Sequence, residues 1–193
     1  MRHLYLYLTL LSIGFACTPD NKTKQAAALD AIAAGNLFTM TPIPGSDYQI
    51  AKKNNLEGEI AEGGLTDSKG MKTGIWVIYQ GDGGYPAKIM SYVKGLYNGP
   101  YFEFDGFGRM VVRANYLNNK LHGKLVKFQD GNMIQQSEYK DGVLDGAYKE
   151  FNRNGAVQKE INYKDGQLNG SFRYYDEKGN VIEEYLYKNG KQQ

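Results

Sequence analysis

Five glycines fall on an almost even beat: Gly74, Gly99, Gly123, Gly146 and Gly170, at steps of 25, 24, 23 and 24 residues. Two residues after each stands Trp76, Tyr101, Leu125, Tyr148 or Phe172. Five after each stands Tyr79, Phe104, Phe128, Phe151 or Tyr175, and late in each unit comes Tyr92, Tyr116, Tyr139, Tyr163 or Tyr187. A fixed period in this range specifies a repeat architecture. A unit of two dozen residues is too small to bury a core alone, so neighbouring units must stack.

Each unit reads as a β-hairpin. Turn signals such as Gly106, Gly131, Gly155 and Gly179 separate segments of strand length, and a second set lies at Gly95, Gly142, Gly166 and Gly190. The second unit has Asn118-Asn119 at that second place, and Asn tolerates the left-handed backbone best after Gly. Asn-Gly and Asp-Gly between such segments are hairpin turns. In the fourth unit Val157, Ile161 and Tyr163 fall on one face and Gln158, Glu160 and Asn162 on the other. That is the period-two pattern of a half-buried strand.

The expected fold is therefore all-β: an elongated, single-layer antiparallel sheet of about five stacked hairpin repeats. Ten strands at roughly 4.8 Å each extend about 50 Å. The three sets of beat aromatics form its core as a continuous row, Leu121, Leu144 and Leu168 pack at the connections, and the glycines let the chain reverse.

These units resemble the MORN-repeat variants, a group often filed as YwqK-like antitoxin components. The likeness rests on Lys69-Gly70, then Thr73-Gly74-Ile75-Trp76 with Tyr79, and on the later G-x-aromatic-x-x-aromatic units with their Asp-Gly or Asn-Gly turns. It covers about residues 57–193, and the third unit departs from it with Leu125 in the first aromatic place. The resemblance implies stacked hairpins that serve as an interaction, scaffolding or membrane-associating module. It carries no catalytic residue.

The N-terminus points to export. Arg2 precedes an uncharged, mostly apolar run from Leu4 to Ala16, too short for a comfortable membrane span, with small residues at Gly14 and Ala16. The single cysteine, Cys17, follows at once. This arrangement resembles a bacterial lipoprotein signal, in which the cysteine is lipidated and becomes the first mature residue. An ordinary secretory signal cut after Ala16 fits the same residues, and an unprocessed chain is the third reading. The expected organisation is a signal peptide over 1–16, a lipidated and irregular tether over 17–56 with a short helix at 25–34, and the repeats over 57–193. The corresponding location is the outer membrane of a Gram-negative bacterium, facing the periplasm or the cell surface, with the membrane as one partner through the lipid anchor.

Composition narrows the function. One cysteine excludes an internal disulfide framework and a Cys-rich zinc site. A net charge of +2 without a basic block gives no footing for nucleic acid. No metal or cofactor is expected. His122 reads as a turn residue without a catalytic partner, and the GDGG run at 81–84 reads as a hairpin turn rather than an ion loop. Carboxylates are plentiful, among them Glu57, Glu59, Glu62, Asp67, Glu103, Asp105, Glu150 and Glu160, but spacing singles out no pair for glycoside hydrolysis.

Two sets of residues are candidates for contact. Tyr85, Phe107, Tyr174 and Tyr185 are aromatics the beat does not require. Lys94, Lys140, Lys164 and Lys188 follow the late tyrosines and form a stripe suited to anionic lipid or an acidic partner. The expected role is a non-catalytic scaffold with a protein partner. The alternatives are a cytoplasmic antitoxin-like binder and an enzyme acting on envelope polysaccharide.

Overall fold

The computed structural model describes residues 38–81 and 84–193, and Phe38–Gln193 form one compact unit. Among the described residues are fifteen strands and no helix. The lead-in strands are β1 (Thr39–Pro42), β2 (Gln49–Asn54) and β3 (Ile60–Thr66). The first two sequence units follow as β4 (Lys72–Tyr79) with β5 (Pro86–Val93), and β6 (Leu96–Phe104) with β7 (Met110–Leu117). The third is β8 (Lys120–Leu121), β9 (Gly123–Gln129) and β10 (Asn132–Lys140). The last two are β11 (Val143–Phe151) with β12 (Val157–Lys164), and β13 (Gln167–Tyr175) with β14 (Val181–Lys188), followed by β15 (Lys191–Gln192). All lie in one open antiparallel sheet in chain order, β8 beside β7. The expectation of a sheet of stacked hairpins holds.

Regular structure begins before residue 57. The stretch expected to be an irregular tether is strand from Thr39 onward, because β1 pairs β2 and β2 pairs β3. The prolines that suggested irregularity sit where they do no harm. Pro42 closes the outermost strand, where a missing N–H need remove no ladder bond. Pro44 and Gly45 fall in the connection to β2. Residues 1–37, with the signal, Cys17 and the helix expected at 25–34, lie outside the described residues, as does the middle of the GDGG run.

Two kinds of turn join most of the strands. Six connections are two-residue turns with both residues at positive φ, as at Asp141 (52°) and Gly142 (87°). Such turns match the twist of the strands they join. The rest include Asx turns, in which the side chain of Asn55, Asp67, Asp105, Asn152 or Asp176 accepts from a backbone N–H up to four residues on.

The unit-opening glycines do not reverse the chain. Met90 faces Tyr101 but Tyr92 faces Tyr97, so β6 carries two more residues than β5 across the stretch that holds Gly99. Gly146 and Gly170 occupy the matching shifts of β11 and β13, at φ 122° and 109°. They are bulges repeated once per unit, and a bulge that takes positive φ selects glycine.

Strand register sorts the beat aromatics onto two faces. One row runs Trp76, Met90, Tyr101 and Ala114 across β4–β7, and Leu125, Ser137, Tyr148, Ile161, Phe172 and Tyr185 across β9–β14. The late tyrosines sit two residues along on the same face, Tyr92 opposite Tyr97 and Tyr116 opposite Leu121. Tyr139 and Tyr163 likewise face Leu144 and Leu168, and Tyr187 faces Gly170. Tyr79, Phe104, Phe128, Phe151 and Tyr175 stand three residues beyond the first aromatic of each unit. An odd offset in a strand means the opposite face, where they are half-buried.

The ring contacts are not continuous. Phe38, Trp76, Tyr92, Tyr97, Tyr101 and Tyr116 form one chain of contacts; Tyr148 and Tyr163 form a pair; Phe172, Tyr174, Tyr185 and Tyr187 form a third group. The first break falls where the row carries Ala114, Leu125 and Ser137, and the second at Ile161. The buried core accordingly gathers around Ala51, Trp76, Met90, Tyr92, Tyr101 and Ala114.

Candidate functional site

The sheet has two borders. One carries the two-residue turns between units, and the other carries the turns within units. Lys140, Lys164 and Lys188 close β10, β12 and β14 at the first border and are exposed. Lys94 does not share their place. It occupies the turn position of Asp141, Asp165 and Asn189 at φ 49°, and Val93 stands where the last three units have lysine. The stripe therefore has three members in register. His122 lies at the interruption between β8 and β9 rather than in a hairpin turn, its Nδ1 3.6 Å from Asp141 Oδ1.

At the opposite border Tyr85 and Phe107 come together. Tyr85 is 58% exposed and lies against Gly108, where a Cβ would come within 3.0 Å of the ring. Phe107, 79% exposed, stands next in the chain, with the Arg109 guanidinium 5.2 Å from its ring centroid. Arg109 is itself fixed: Nε donates to Asp105 Oδ2 at 2.8 Å and Nη1 to Asp130 Oδ1 at 3.0 Å. Phe107 thus projects from a braced turn, and the Tyr85 ring, from the neighbouring connection, lies against that turn at Gly108. Tyr174 and Tyr185 belong elsewhere. Their rings lie 5.1 and 6.1 Å from Phe172, on the face of the core row. They continue that row, and Tyr185 remains 37% exposed.

Most of the carboxylates singled out in the sequence are committed to structural partners, Glu62 to Lys72 among them. Tyr101 donates to Glu103, and Lys88 Nζ lies 3.2 Å from the same carboxylate. The fourth unit repeats this set: Tyr148 donates to Glu150 at 2.7 Å, with Lys159 Nζ 3.2 Å away. Burial first, and the neighbouring carboxylate second, push both tyrosine hydroxyls far above their ordinary range. The Tyr148 hydroxyl, with Lys159, holds Glu150 below the usual carboxylate value. Glu160 accepts from Tyr175 at 3.0 Å and pairs with Lys149 at 3.4 Å, while Asp67 and Asp105 cap turns. These sets act as clamps across strands.

One constellation escaped the sequence reading. Lys72 opens β4 with its ammonium 4.1 Å from the Trp76 ring centroid, 5.4 Å from Tyr92 and 5.7 Å from Phe38. Glu62 Oε1 lies 2.5 Å from it. Trp76 Nε1 donates to Leu65 O at 2.7 Å, which fixes the indole. The signal was available. The residue two before each later opening glycine is Tyr97, Leu121, Leu144 or Leu168, and only the first unit has a lysine there.

The MORN repeat variant model matches residues 144–165 and 168–189. The fourth and fifth units are similar to MORN repeats. Each match begins two residues before the opening glycine, at Leu144 and Leu168, and runs past the late tyrosine. The MORN unit thus spans the bulge and both strands of one hairpin. No curated protein matches the chain.

Proposed function

We propose that this chain is a non-catalytic interaction scaffold held in a bacterial cell envelope by lipid on Cys17, with a protein partner docking at Tyr85 and Phe107. The observation that supports it is the exposed Phe107 on its braced turn, with the exposed Tyr85 ring laid against Gly108 beside it. Aromatic side chains presented rigidly lose little entropy on binding and dominate interface energetics. The likeness of the fourth and fifth units to MORN repeats agrees with an interaction role. The three lysines in register at the other border suit a nearby anionic surface, as a lipid anchor would provide.

Intact-mass analysis of fractionated cells tests the anchoring. A mass for a chain beginning at Cys17 plus lipid, in the membrane fraction, is the expected result, and Cys17→Ala should release the protein while its sheet stays folded. A full-length, unlipidated mass in the cytosol refutes the anchoring and makes the antitoxin-like binder the leading reading. A photo-crosslinker at Phe107 tests the docking. The adduct it forms in cells should vanish on Tyr85→Ser and persist on Tyr187→Ser.

A further inference from the structure

Lys72 stands where later units place Leu or Tyr on the core face. A leucine there would complete the apolar row at no electrostatic cost, as Leu121, Leu144 and Leu168 do. The first unit instead surrounds a charge with three rings and one carboxylate: Phe38, Trp76, Tyr92 and Glu62. Beside it, Thr66 is the cross-strand partner of Lys72 and is 3% exposed, and its hydroxyl has no hydrogen-bond partner among the described residues. Rings that present their faces to a cation, with an acid at the side, are the chemistry that recognises quaternary ammonium groups.

The two kinds of cation do not fare equally in such a site. A lysine ammonium is a compact charge that water hydrates strongly, so it gives up much on entering. A quaternary ammonium carries methyl groups, holds water weakly and has more surface to set against the rings. Lys72 lies at the start of its strand on a flexible stem, with 30% of its side chain exposed. It can swing to solvent without moving the backbone.

We propose that Phe38, Trp76, Tyr92 and Glu62 form a binding site for a small quaternary ammonium ion of the choline type, which Lys72 keeps closed until the ligand displaces its ammonium. The lysine acts as a tethered competitor. Apparent affinity is the intrinsic affinity reduced by the fraction of chains with the site open. This inference is independent of the lipid anchor and of the Tyr85–Phe107 surface.

Trp76 is the single tryptophan of the chain, so intrinsic fluorescence reads the site directly. Choline chloride is titrated into the full chain, with sodium chloride as the ionic-strength control. The expected result is a saturable change with choline alone, at least about tenfold tighter in Lys72→Ala. Lys72→Leu, which restores the residue of the later units, should fold and show no response. If Lys72→Ala loses the circular dichroism of the sheet, the wild-type titration against Lys72→Leu decides. No saturable response to roughly 100 mM choline overturns the proposal, and so does equal affinity in wild type and Lys72→Ala. Phosphatidylcholine vesicles distinguish the source of the ligand. A response to vesicles as well as to free choline admits a lipid head group, whereas a response to vesicles alone overturns the assignment to a small soluble ion.

Discussion

Gly64→Ala should destabilise the first unit by about 2–3 kcal/mol, while Gly63→Ala next to it should stay within about 1 kcal/mol of wild type. The two glycines are adjacent in β3 and face opposite sides of the sheet. Neither has positive φ, so backbone strain does not enter. A Cβ on Gly64 would stand 2.4 Å from Trp76 Cγ and Cδ2. Carbon contacts settle at about 3.5–4.0 Å, so the indole would have to retreat by about 1 Å or more. It is poorly free to do so, held by its hydrogen bond to Leu65 O and lying under Lys72 and Phe38. Overpacking costs about 1–3 kcal/mol, and losing the indole bond about 1 kcal/mol more. Against this, alanine reduces unfolded-state entropy by about 0.4–1 kcal/mol. On Gly63 the nearest atom to a Cβ would be Ala51 O at 3.3 Å, with a slot of about 240 Å³ between Ile50, Ile60, Leu65, Val77 and Tyr79 to receive it. Urea unfolding followed by Trp76 fluorescence is the assay. With a slope of about 1–3 kcal/mol/M, the Gly64→Ala midpoint should fall by roughly 1 M. A Gly64→Ala midpoint equal to wild type, or equal losses at both glycines, would refute the reasoning.

Gly146→Ala should cost about 1–3 kcal/mol, because φ is 122° and a Cβ would come within 3.0 Å of Glu138 Cβ; a thermal midpoint unchanged from wild type would count against the bulge. Tyr148→Phe should raise the pKa of Glu150, which the Tyr148 hydroxyl first and Lys159 second hold below the ordinary carboxylate range. A depressed folded-state pKa contributes stability that is present above the ordinary value and lost as pH falls through the folded one. The variant should therefore have less of this stabilisation to lose in acid, and titration of the Glu150 side-chain carbon by NMR should show its midpoint moved to higher pH. An unmoved midpoint would show that the clamp does not hold the carboxylate.

Much of the repeat was legible because period-two alternation and turn chemistry are local. Asp141-Gly142 and Asp165-Gly166 are the two-residue turns their residues specify, and Asn118-Asn119 serves in their place. The shared face of Val157, Ile161 and Tyr163 was readable from the same alternation. The role of Gly99, Gly146 and Gly170 was not, because a glycine at positive φ leaves the same mark in a turn as in a bulge. Only the shift from Met90–Tyr101 to Tyr92–Tyr97 separates the two. The opposite facing of Phe104 and Phe151 follows from an odd offset once the strands are known to be regular through it. Pro42 and Pro44 hid β1 and β2, since a proline on an edge strand and one in a loop are alike in sequence. The Lys72 site depends on Phe38, just before β1, and Glu62 of β3, which no single-unit pattern contains.

Apart from β7, which pairs with the short β8 and also with β9, each strand bonds only to strands adjacent to it along the chain. The sheet is therefore mechanically a zipper. A pull applied across Phe38 and Gln193 loads the strand at one end of the row at a time, and hairpins should detach singly rather than together. Each unit of about two dozen residues would release roughly 80 Å of contour length at full extension. The units from Phe172 back to Tyr148, with the thinner ring contacts, should yield at lower force than those that hold Tyr116, Tyr101 and Trp76.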